Sequence, residues 1–466
     1  MREERTEVLV IGAGPAGLAA AAAASEQGAD VLLVDENPFA GGQIWRPARG
    51  AGPRAQTASL LERAARSRRL PGAVVFDADA PAPSVTTGAS AGAPPPRRLR
   101  ALASGNDASG DDVIELVAGR VVLALGATER FLPFPGWTLP GVLGVGGLQA
   151  MVKGGMEVRE RRVAIAGSGP LLLAVAASLL DAGAHVVGVF EQAPRGPVLR
   201  FGAGLVRHPR KLGQALGLLA RLRRVRRVHS SWPVRAEGDG ALERVIVRRA
   251  AKRAVREETI EIDLLACAFG LAPATGLASM LGCEVRGGRV VVDELQRTTV
   301  PNVLCAGEST GIGGVDLALA EGEVAGCAAA GRLDTARAAS RRVRSERRFA
   351  ETLERAFALR EELRELPRDD TVVCRCEDTS WGAIRTRRDA RQAKLETRCG
   401  MGPCQGRVCG PALEVLCGWE RERPRPPLIP VPFHALGVSP SLPEPVVART
   451  DPTSPRTLPT LPGDHR

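Results

Sequence analysis

The sequence predicts an α/β protein with two dinucleotide-binding (Rossmann-like) domains, the second inserted in the first, and a small helical cysteine-rich domain at the C-terminus. Two observations lead to this fold class. A strand–glycine turn–helix–strand unit spans residues 7–36 and recurs at residues 162–192. Six of the ten cysteines lie between Cys374 and Cys417, and none precedes Cys267. Such clustering is typical of a metal site rather than of a secreted disulfide scaffold.

The first unit has the features of a dinucleotide site. Residues 8–11 are an apolar run typical of a buried parallel strand. Gly12 permits the tight turn that follows, Gly14 leaves room for a pyrophosphate, and Gly17 allows the helix to pack closely on the strand. The helix N-terminus offers amides and a positive dipole to phosphate. An acid after the second strand can accept a hydrogen bond from a ribose hydroxyl. The predicted contacts are Gly12, Gly14, Pro15, Ala16, Gly17 and Glu36.

Composition narrows the function classes. The chain has 466 residues, 44% of them hydrophobic, and a net charge of +11. Aromatic residues make up 3% and Tyr is absent, so little is available for nucleic-acid bases to stack on, and no nucleic acid is expected as a partner. The charged N-terminus leads directly into a strand and is not typical of a signal peptide. No apolar run is long enough for a transmembrane segment. We therefore expect a cytoplasmic protein.

The loop after the first unit reads NPFAGGQIWRP. An acid followed by this Gly-Gly pair resembles the flavin-binding amine and disulfide oxidoreductases that have two dinucleotide-binding domains. In that family the first domain binds FAD, and the resemblance implies that Glu36 contacts the ribose and that Gly41, Gly42 and Gln43 lie beside the cofactor. Taken alone, the pair is equally well explained as a simple turn. No cysteine pair follows it, so dithiol chemistry is not expected.

Two later stretches extend the same resemblance. A buried strand over residues 121–125 leads into Gly126 and Ala127, where the chain of the family crosses near the flavin. A second motif contains Gly307 and Glu308, and the resemblance implies that the Gly307 amide and the acid meet the ribityl-phosphate chain. The family more often has Asp at the position of Glu308. Gly314 is then expected at a helix N-terminus that faces the flavin.

The repeated unit at residues 162–192 departs from the glycine pattern. Gly167 and Gly169 fit, but Leu172 occupies the third glycine position, where a bulky side chain is expected to displace the helix or crowd a pyrophosphate. Whether NAD binds in this second domain therefore stays open. Glu191 would repel a 2′-phosphate and favour NAD over NADP. The arginine-rich stretch 192–236 contains no acid and fits a docking face for an acidic partner, although a solvated surface is favoured.

The predicted organisation follows from these motifs. Residues 78–112 are rich in Ala, Pro, Ser and Gly and are expected to be a disordered insert, since they bury too little apolar surface to offset the ordering entropy. The Pro-rich tail is expected to be disordered or laid across the surface. The units are the FAD-binding domain at 1–140 and 258–332, the second nucleotide-type domain at 141–257, a connector helix at 333–369, the cysteine-rich domain at 370–420 and the tail at 421–466.

The cysteine-rich domain contains the second strong motif. Cys374 and Cys376 form a CxC pair, and Cys404 and Cys409 lie at a predicted helix start, where amides stabilise thiolates. Four thiolates can hold either a 2Fe-2S cluster or zinc, but zinc sites more often show CxxC on both sides. The CxC followed by CQGR resembles the small bacterioferritin-associated-ferredoxin-like 2Fe-2S domain, which favours iron and this set of ligands. Cys399 is a fifth candidate that could replace one of them.

Together the motifs resemble the large subunits of the hydrogen cyanide synthase, opine oxidase and dye-linked proline or hydroxyproline dehydrogenase group. The resemblance implies an FAD- and 2Fe-2S-containing electron-transfer subunit of a multi-subunit amine or imino-acid dehydrogenase or oxidase. It also implies a hetero-oligomer in which a D-amino-acid-oxidase-like flavoprotein and a small ferredoxin-like protein are the other subunits. Glycine, opines, proline, hydroxyproline and sarcosine stay open as substrates, and no catalytic acid or base is assigned. The alternatives are a self-sufficient NAD(P)H-dependent flavin reductase and a non-catalytic nucleotide-binding scaffold.

Overall fold

The computed structural model describes residues 2–79, 95–103, 112–251 and 254–437. The first domain is a seven-stranded sheet in which the Rossmann strands are parallel. Residues 8–11 are buried at its centre because both neighbouring strands pair with them. Its elements up to residue 129 are β1 (Arg2–Ile11), α1 (Pro15–Glu26), β2 (Val31–Asp35), α2 (Ala55–Arg63), β3 (Arg68–Pro71), β4 (Ala73–Ala78), β5 (Arg97–Ala103), β6 (Asp112–Leu123) and β7 (Ala127–Glu129).

The expectation of disorder over 78–112 was wrong for strand β5. This strand pairs antiparallel with both β4 and β6 and extends the sheet. Its arginines alternate with buried Leu99 and Ala101, which is the pattern of a half-buried strand. Arg98 forms a 2.7 Å ion pair with Glu115 on β6. Residues 80–94 and 104–111 of the predicted insert lie outside the described residues.

The second domain is a five-stranded parallel sheet in the order β11-β10-β9-β15-β8, with a separate antiparallel sheet of β12, β13 and β14. Because β15 pairs with β9, the chain returns to the first domain only after Ala268, later than the predicted boundary at residue 258. The elements are β8 (Val142–Gly144), α3 (Val145–Lys153), β9 (Arg162–Gly167), α4 (Leu171–Asp181), β10 (His185–Glu191), α5 (Arg195–Gly204), α6 (Pro209–Arg221), β11 (Arg227–His229), β12 (Ser231–Glu237), β13 (Arg244–Ala251), β14 (Ala254–Glu261) and β15 (Leu264–Ala268).

The returning chain closes the first domain with a helix that packs against α1. A Cβ on Gly322 or Gly326 of this helix would lie 2.1 or 2.2 Å from the carbonyl oxygen of Ala16 or Ala20. Small residues on both helices therefore permit the close contact that buries the alanine-rich α1. The elements are β16 (Leu271–Pro273), α7 (Gly276–Met280), β17 (Val285–Arg286), β18 (Arg289–Val290), β19 (Val303–Cys305) and α8 (Val315–Ala329).

The last part of the chain links both domains to the cysteine-rich region. The connector helix α9 (Leu333–Ala356) packs on α8 and then on α5. Residues 421–437 lie across the first domain, where the Leu428 amide donates to the Phe76 carbonyl at 2.6 Å. In the described part of the chain, no helix combines the length and hydropathy that a membrane span requires. The remaining elements are β20 (Val372–Cys374), β21 (Thr379–Ser380), α10 (Trp381–Ile384), α11 (Ala390–Thr397), α12 (Cys409–Cys417) and α13 (Phe433–Leu436).

Candidate functional site

The first glycine turn is built so that only glycine fits at two positions. Gly12 has φ +104°, and a Cβ there would lie 2.2 Å from the Ala124 carbonyl oxygen. A Cβ on Gly17 would lie 1.7 Å from the carbonyl oxygen of Gly12. Gly14 differs, because its backbone is extended and its hydrogens face open space in front of the turn. The Gly14 amide has no acceptor among the described residues, as expected for a cradle that receives phosphate.

The acid that reaches this turn is Asp35, the last residue of β2. Its carboxylate accepts hydrogen bonds from the Ala13 amide and, at 2.7 Å, from the Asn37 amide. Glu36 is exposed, and both acids border the cavity in front of the turn. Glu36 stays our predicted ribose contact, and Asp35 is a second candidate that the sequence reasoning missed. The position of Asp35 in the sequence could have identified it, because the ribose-binding acid of this motif lies at the end of the second strand.

A cavity of 2500 Å³ opens in front of the turn. Gly42 closes one side of the cavity. Its φ is +58°, and a Cβ there would lie only 3.0 Å from the Gly14 Cα atom. This close approach of two glycine backbones leaves the path over the turn clear for an extended cofactor. Ala16, Gly17, Gly307 and Gly314 are not among the described residues that line the cavity. The predicted residues that line the cavity are Gly12, Gly14, Pro15, Glu36, Gly42, Gln43, Gly126, Ala127 and Glu308.

The predicted second flavin motif is organised by two carboxylates, partly buried Glu308 and fully buried Glu321. Glu308 accepts hydrogen bonds from the amides of Gly314 at 2.8 Å and Gly313 at 3.2 Å, and burial raises the pKa of Glu308. Fully buried Glu321 accepts the Gly307 amide at 2.9 Å and forms an ion pair with Arg347 of α9. The Gly307 amide is thus engaged within the protein, while Glu308 borders the cavity. Glu321 was not identified from the sequence, because its role depends on a partner from another helix.

A third acid, the partly buried Glu129, borders the same cavity. Its carboxylate accepts the Gly147 amide at 3.1 Å and also the amide of Gly146, both at the start of α3. Burial raises the pKa of Glu129. Glu129 follows the predicted crossing point at Gly126 and Ala127, but nothing in its local sequence indicated a role.

The structure brings three buried thiols together. The Sγ atoms of Cys374, Cys399 and Cys409 all lie within 4.8 Å of one another. The Gly400 amide donates to Cys374 Sγ at 3.4 Å. Thiol hydrogen bonds from Cys399 and Cys409 lower the pKa of Cys374 to about 2. The hydrogen bond to Cys374 in turn raises the pKa of Cys399 to about 12. The donors around Cys374 stabilise negative charge on its sulfur, at the place where a metal would bind.

The other two predicted ligands form a neighbouring pair. Cys376 is exposed and Cys404 is partly buried, and Cys404 is the neighbour that most affects the pKa of the Cys376 thiol. The predicted quartet is therefore present as two pairs, with Cys399 added to the pair of Cys374 and Cys409. Five thiols in one small domain fit a group that needs four thiolates. The same donors suit zinc, so the arrangement is compatible with either metal centre.

The glycine turn and the thiols face the same space. Cys399, Gly400 and Cys409 line the cavity that also contacts Gly14 and Gly42. A cofactor stretched along the cavity from the glycine turn would therefore approach the cysteine-rich domain. This shared cavity connects the two motifs that the sequence showed separately.

Comparison with known proteins identifies the family. Residues 6–341 match the model of the pyridine nucleotide-disulphide oxidoreductases. The chain belongs to this family. It is therefore a flavin-dependent oxidoreductase, and membership implies FAD in the first nucleotide site, where the glycine cradle and its cavity fit the cofactor.

Two relatives extend the similarity over nearly the whole chain, and one solved structure shares its fold. The hydrogen cyanide synthase subunit HcnB of Pseudomonas aeruginosa is 32% identical over 464 residues, covering 92% of this chain and 97% of that protein. An opine oxidase subunit of Agrobacterium tumefaciens is 33% identical over 458 residues, covering 89% and 86%. L-proline dehydrogenase from P. horikoshii is 20% identical with a TM-score of 0.60, covering 93% of this chain and 80% of that one. The predicted family resemblance and the mixed α/β fold with Rossmann-like sheets are confirmed.

Proposed function

We infer that this protein is the FAD- and 2Fe-2S-containing electron-transfer subunit of a multi-subunit amine or imino-acid dehydrogenase. The observation that supports this most strongly is the cavity shared by the glycine turn and the thiols Cys399 and Cys409. The names of the relatives agree, since they are subunits of a hydrogen cyanide synthase and of an opine oxidase. A partner subunit then carries the amine chemistry, and this chain carries the electrons away.

Each group in the chain has a task in that scheme. The free amide of Gly14 and the helix N-terminus of α1 would hold the pyrophosphate, and Asp35 or Glu36 the ribose. The cysteines would hold the iron as thiolates. Bound FAD would supply the conversion between two-electron and one-electron transfer, which a 2Fe-2S cluster requires. The protein excludes bulk water from part of this path, because Cys374, Cys399 and Cys409 are buried.

We propose a D-amino-acid-oxidase-like flavoprotein as the partner that oxidises the amine. The possible third member of the hetero-oligomer is a small ferredoxin-like subunit. This chain itself is assigned no catalytic acid or base. The candidate substrates are glycine, an opine, proline or hydroxyproline, and a sarcosine-like amine. We also propose a cytoplasmic location.

Anaerobic spectroscopy of the co-purified complex tests the proposal. We expect the flavin absorbance to bleach when the amine is added with the partner present, and not when this chain is given the amine alone. Rapid bleaching by NADH alone would instead identify a self-sufficient reductase. A chain that takes up no flavin after reconstitution would favour the alternative of a non-catalytic nucleotide-binding scaffold. Metal analysis should find about two iron and two acid-labile sulfide per chain. Zinc in their place would contradict the cluster.

Cysteine variants identify the ligands. Cys374→Ser and Cys409→Ser should abolish the cluster absorbance, since both belong to the predicted quartet and to the buried trio. Cys376→Ser, Cys404→Ser and Cys399→Ala then separate the two sets. Retention of iron in Cys399→Ala, with loss in Cys376→Ser and Cys404→Ser, supports the predicted quartet. The reverse result would make Cys399 a ligand. Cys417→Ala, in the same helix as Cys409, serves as the control.

A further inference from the structure

A segment of the chain itself lies on the glycine turn of the second nucleotide-type domain. Residues 357–360, hereafter the 357–360 segment, follow directly after α9. The Ser168 hydroxyl of the turn donates to the Phe357 carbonyl oxygen at 2.9 Å. Gln192 Nε2 donates to the Ala358 carbonyl oxygen at 3.1 Å, and the Arg360 amide donates to Gln192 Oε1 at 3.1 Å. Both polar ends of one glutamine side chain therefore hold the segment.

The position of Gln192 explains why this contact matters. Gln192 is fully buried and follows Glu191, the last residue of β10. In the first domain the equivalent strand β2 ends at Asp35, and the acids at its end are the candidate ribose contacts. Gln192 Nε2 also donates to Ser168 Oγ at 2.9 Å, which joins the strand end to the turn. The 357–360 segment thus covers the place where an adenosine ribose would lie.

The amides of this turn are also engaged. The Ser168 amide donates to the Ala268 carbonyl at 2.8 Å, and the Gly169 amide donates to the Glu191 carboxylate at 2.8 Å. Pro170 has no amide hydrogen, and the Leu172 amide donates to the Gly169 carbonyl at 3.2 Å. Among the described residues of the turn, only the Leu171 amide is left to receive a phosphate. The cradle that is open in the first domain is therefore closed here.

The segment is anchored on its far side as well. The Phe357 ring packs edge-on against Phe201 of α5, with ring centroids 5.7 Å apart. The Arg360 guanidinium lies 5.0 Å from the centroid of the Trp232 ring. Leu363, three residues further on, is fully buried in the core of the second domain. Displacing the segment would expose these apolar groups and leave Oε1 of buried Gln192 without its partner, the Arg360 amide, which is costly.

We propose that the second nucleotide-type domain binds no nicotinamide nucleotide and instead binds the 357–360 segment, with Ser168 and Gln192 as the positioning residues. The glycine turn then serves as an anchor for the connector between the flavin domain and the cysteine-rich domain. The inference goes beyond the proposed function, because it holds whichever donor reduces the flavin. It removes this domain as an entry point for hydride from NADH.

Two measurements on the full-length, FAD-loaded chain test the proposal. Equilibrium dialysis should show no saturable binding of NADH or NADPH up to about 1 mM. Hydrogen exchange followed by mass spectrometry should show protected amides in the peptide that contains residues 357–360. In Gln192→Ala, exchange of that peptide should accelerate at least about tenfold, because the Gln192 side chain takes part in three of the four side-chain hydrogen bonds that hold the segment. Gln214→Ala, at an exposed position of α6, should leave it unchanged.

Gln192→Glu is the second variant, for use if the alanine variant does not fold, because it keeps the size of the side chain. It places a carboxylate oxygen against the Ala358 carbonyl and should also accelerate exchange. Saturable NADH binding that releases the segment would overturn the proposal, and so would unchanged exchange in both Gln192 variants. Saturable NADH binding while the segment stays protected would also contradict the proposal, because no saturable binding is expected up to about 1 mM. None of these readouts involves an amine or a reduced flavin, so a failure of the proposed function would appear separately.

Discussion

The two glycine turns of this protein begin from nearly the same sequence and end in opposite states. In the first, Gly14 presents a free amide to a cavity that also reaches the thiols. In the second, the equivalent Gly169 amide is bound by Glu191, and the 357–360 segment covers the turn. A glycine spacing therefore predicts a strand–turn–helix unit reliably, whereas ligand binding depends on which amides and how much space the rest of the chain leaves free.

The two domains also differ in the partners of the buried acid beside each turn. In the first domain Glu321 accepts the Gly307 amide and has the cation Arg347 beside it. In the second domain Glu191 accepts the amides of Gly169 and Ala193, and no ion pair reaches it within the described residues. Burial accordingly raises the pKa of Glu191 to about 7. The first domain stabilises charge near its turn, and the second tolerates a carboxyl that is half protonated at neutral pH.

The largest effect is expected when the first turn receives the leucine that the second turn has at the third glycine position. Gly17→Leu places a side chain where a Cβ already lies 1.7 Å from the Gly12 carbonyl oxygen. We expect a loss of more than about 5 kcal/mol, which is the whole stability of a marginally stable domain. The yield of folded protein and its flavin content measure this. As the control, Leu172→Ala removes only buried packing, at about 2–5 kcal/mol, and should give a higher yield of folded protein than Gly17→Leu. A well-folded, flavin-loaded Gly17→Leu protein would contradict the equivalence of the two turns.

Loss of the ion pair between Arg347 and Glu321 is expected to give the next largest effect. Arg347→Met leaves the fully buried Glu321 carboxylate without its cation. Chemical denaturation should show unfolding free energy lower by about 2–4 kcal/mol, because an uncompensated charge is then buried. Arg341→Met removes an exposed arginine of the same helix and should change stability by less than about 0.5 kcal/mol. Equal effects of the two variants would show that Glu321 does not depend on Arg347.

Gly14→Ala tests the open cradle without disturbing the fold. The backbone of Gly14 is extended, and the nearest atom to a new Cβ is the Gly42 Cα at 3.9 Å. The methyl group would instead project into the path of the pyrophosphate. FAD affinity should fall at least about tenfold, while the unfolding free energy of the apoprotein stays within about 1 kcal/mol. Gly196→Ala, at an open position of α5, is the matched control. Undiminished FAD affinity would place the cofactor away from this turn.

The last effect appears only when the pH is changed and concerns the stability of the second domain. The folded-state pKa of Glu191 is raised from 4.5 to about 7, so the folded protein binds this proton more tightly than the unfolded chain does. The stability that Glu191 contributes is therefore lost as pH rises from about 4.5 to about 7, and the loss is constant above that range. Relative to Glu191→Gln, the wild type should lose roughly 2–3 kcal/mol between pH 5 and pH 8, because each unit of the pKa shift corresponds to about 1.4 kcal/mol. Thermal denaturation of both proteins across this range measures the difference. A difference that does not vary with pH would contradict the raised pKa.

Much of the fold was predictable because its signals are local. Apolar runs, glycine turns and the separate charged helix α9 appear within short windows, and the structure contains all of them. Strand β5 was missed because its arginines sit in a stretch of Pro, Ala and Ser, and its partners Asp77 and Glu115 come from other strands. The predicted boundary of the second domain at residue 258 came too early. The local sequence of strand β15 does not indicate which of the two sheets the strand joins.

By itself the sequence determined that this chain has two strand–turn–helix units, a flavin-type loop and a late cluster of thiols, since each depends on neighbours within about one turn or strand. Only the tertiary structure decided which turn stays open and which thiols meet. The bond that closes the second turn joins Ser168 to a carbonyl 189 residues away, and the thiol trio draws Cys399 beside Cys374 and Cys409. Contacts of that sequence separation depend on how the domains pack, which no local pattern encodes.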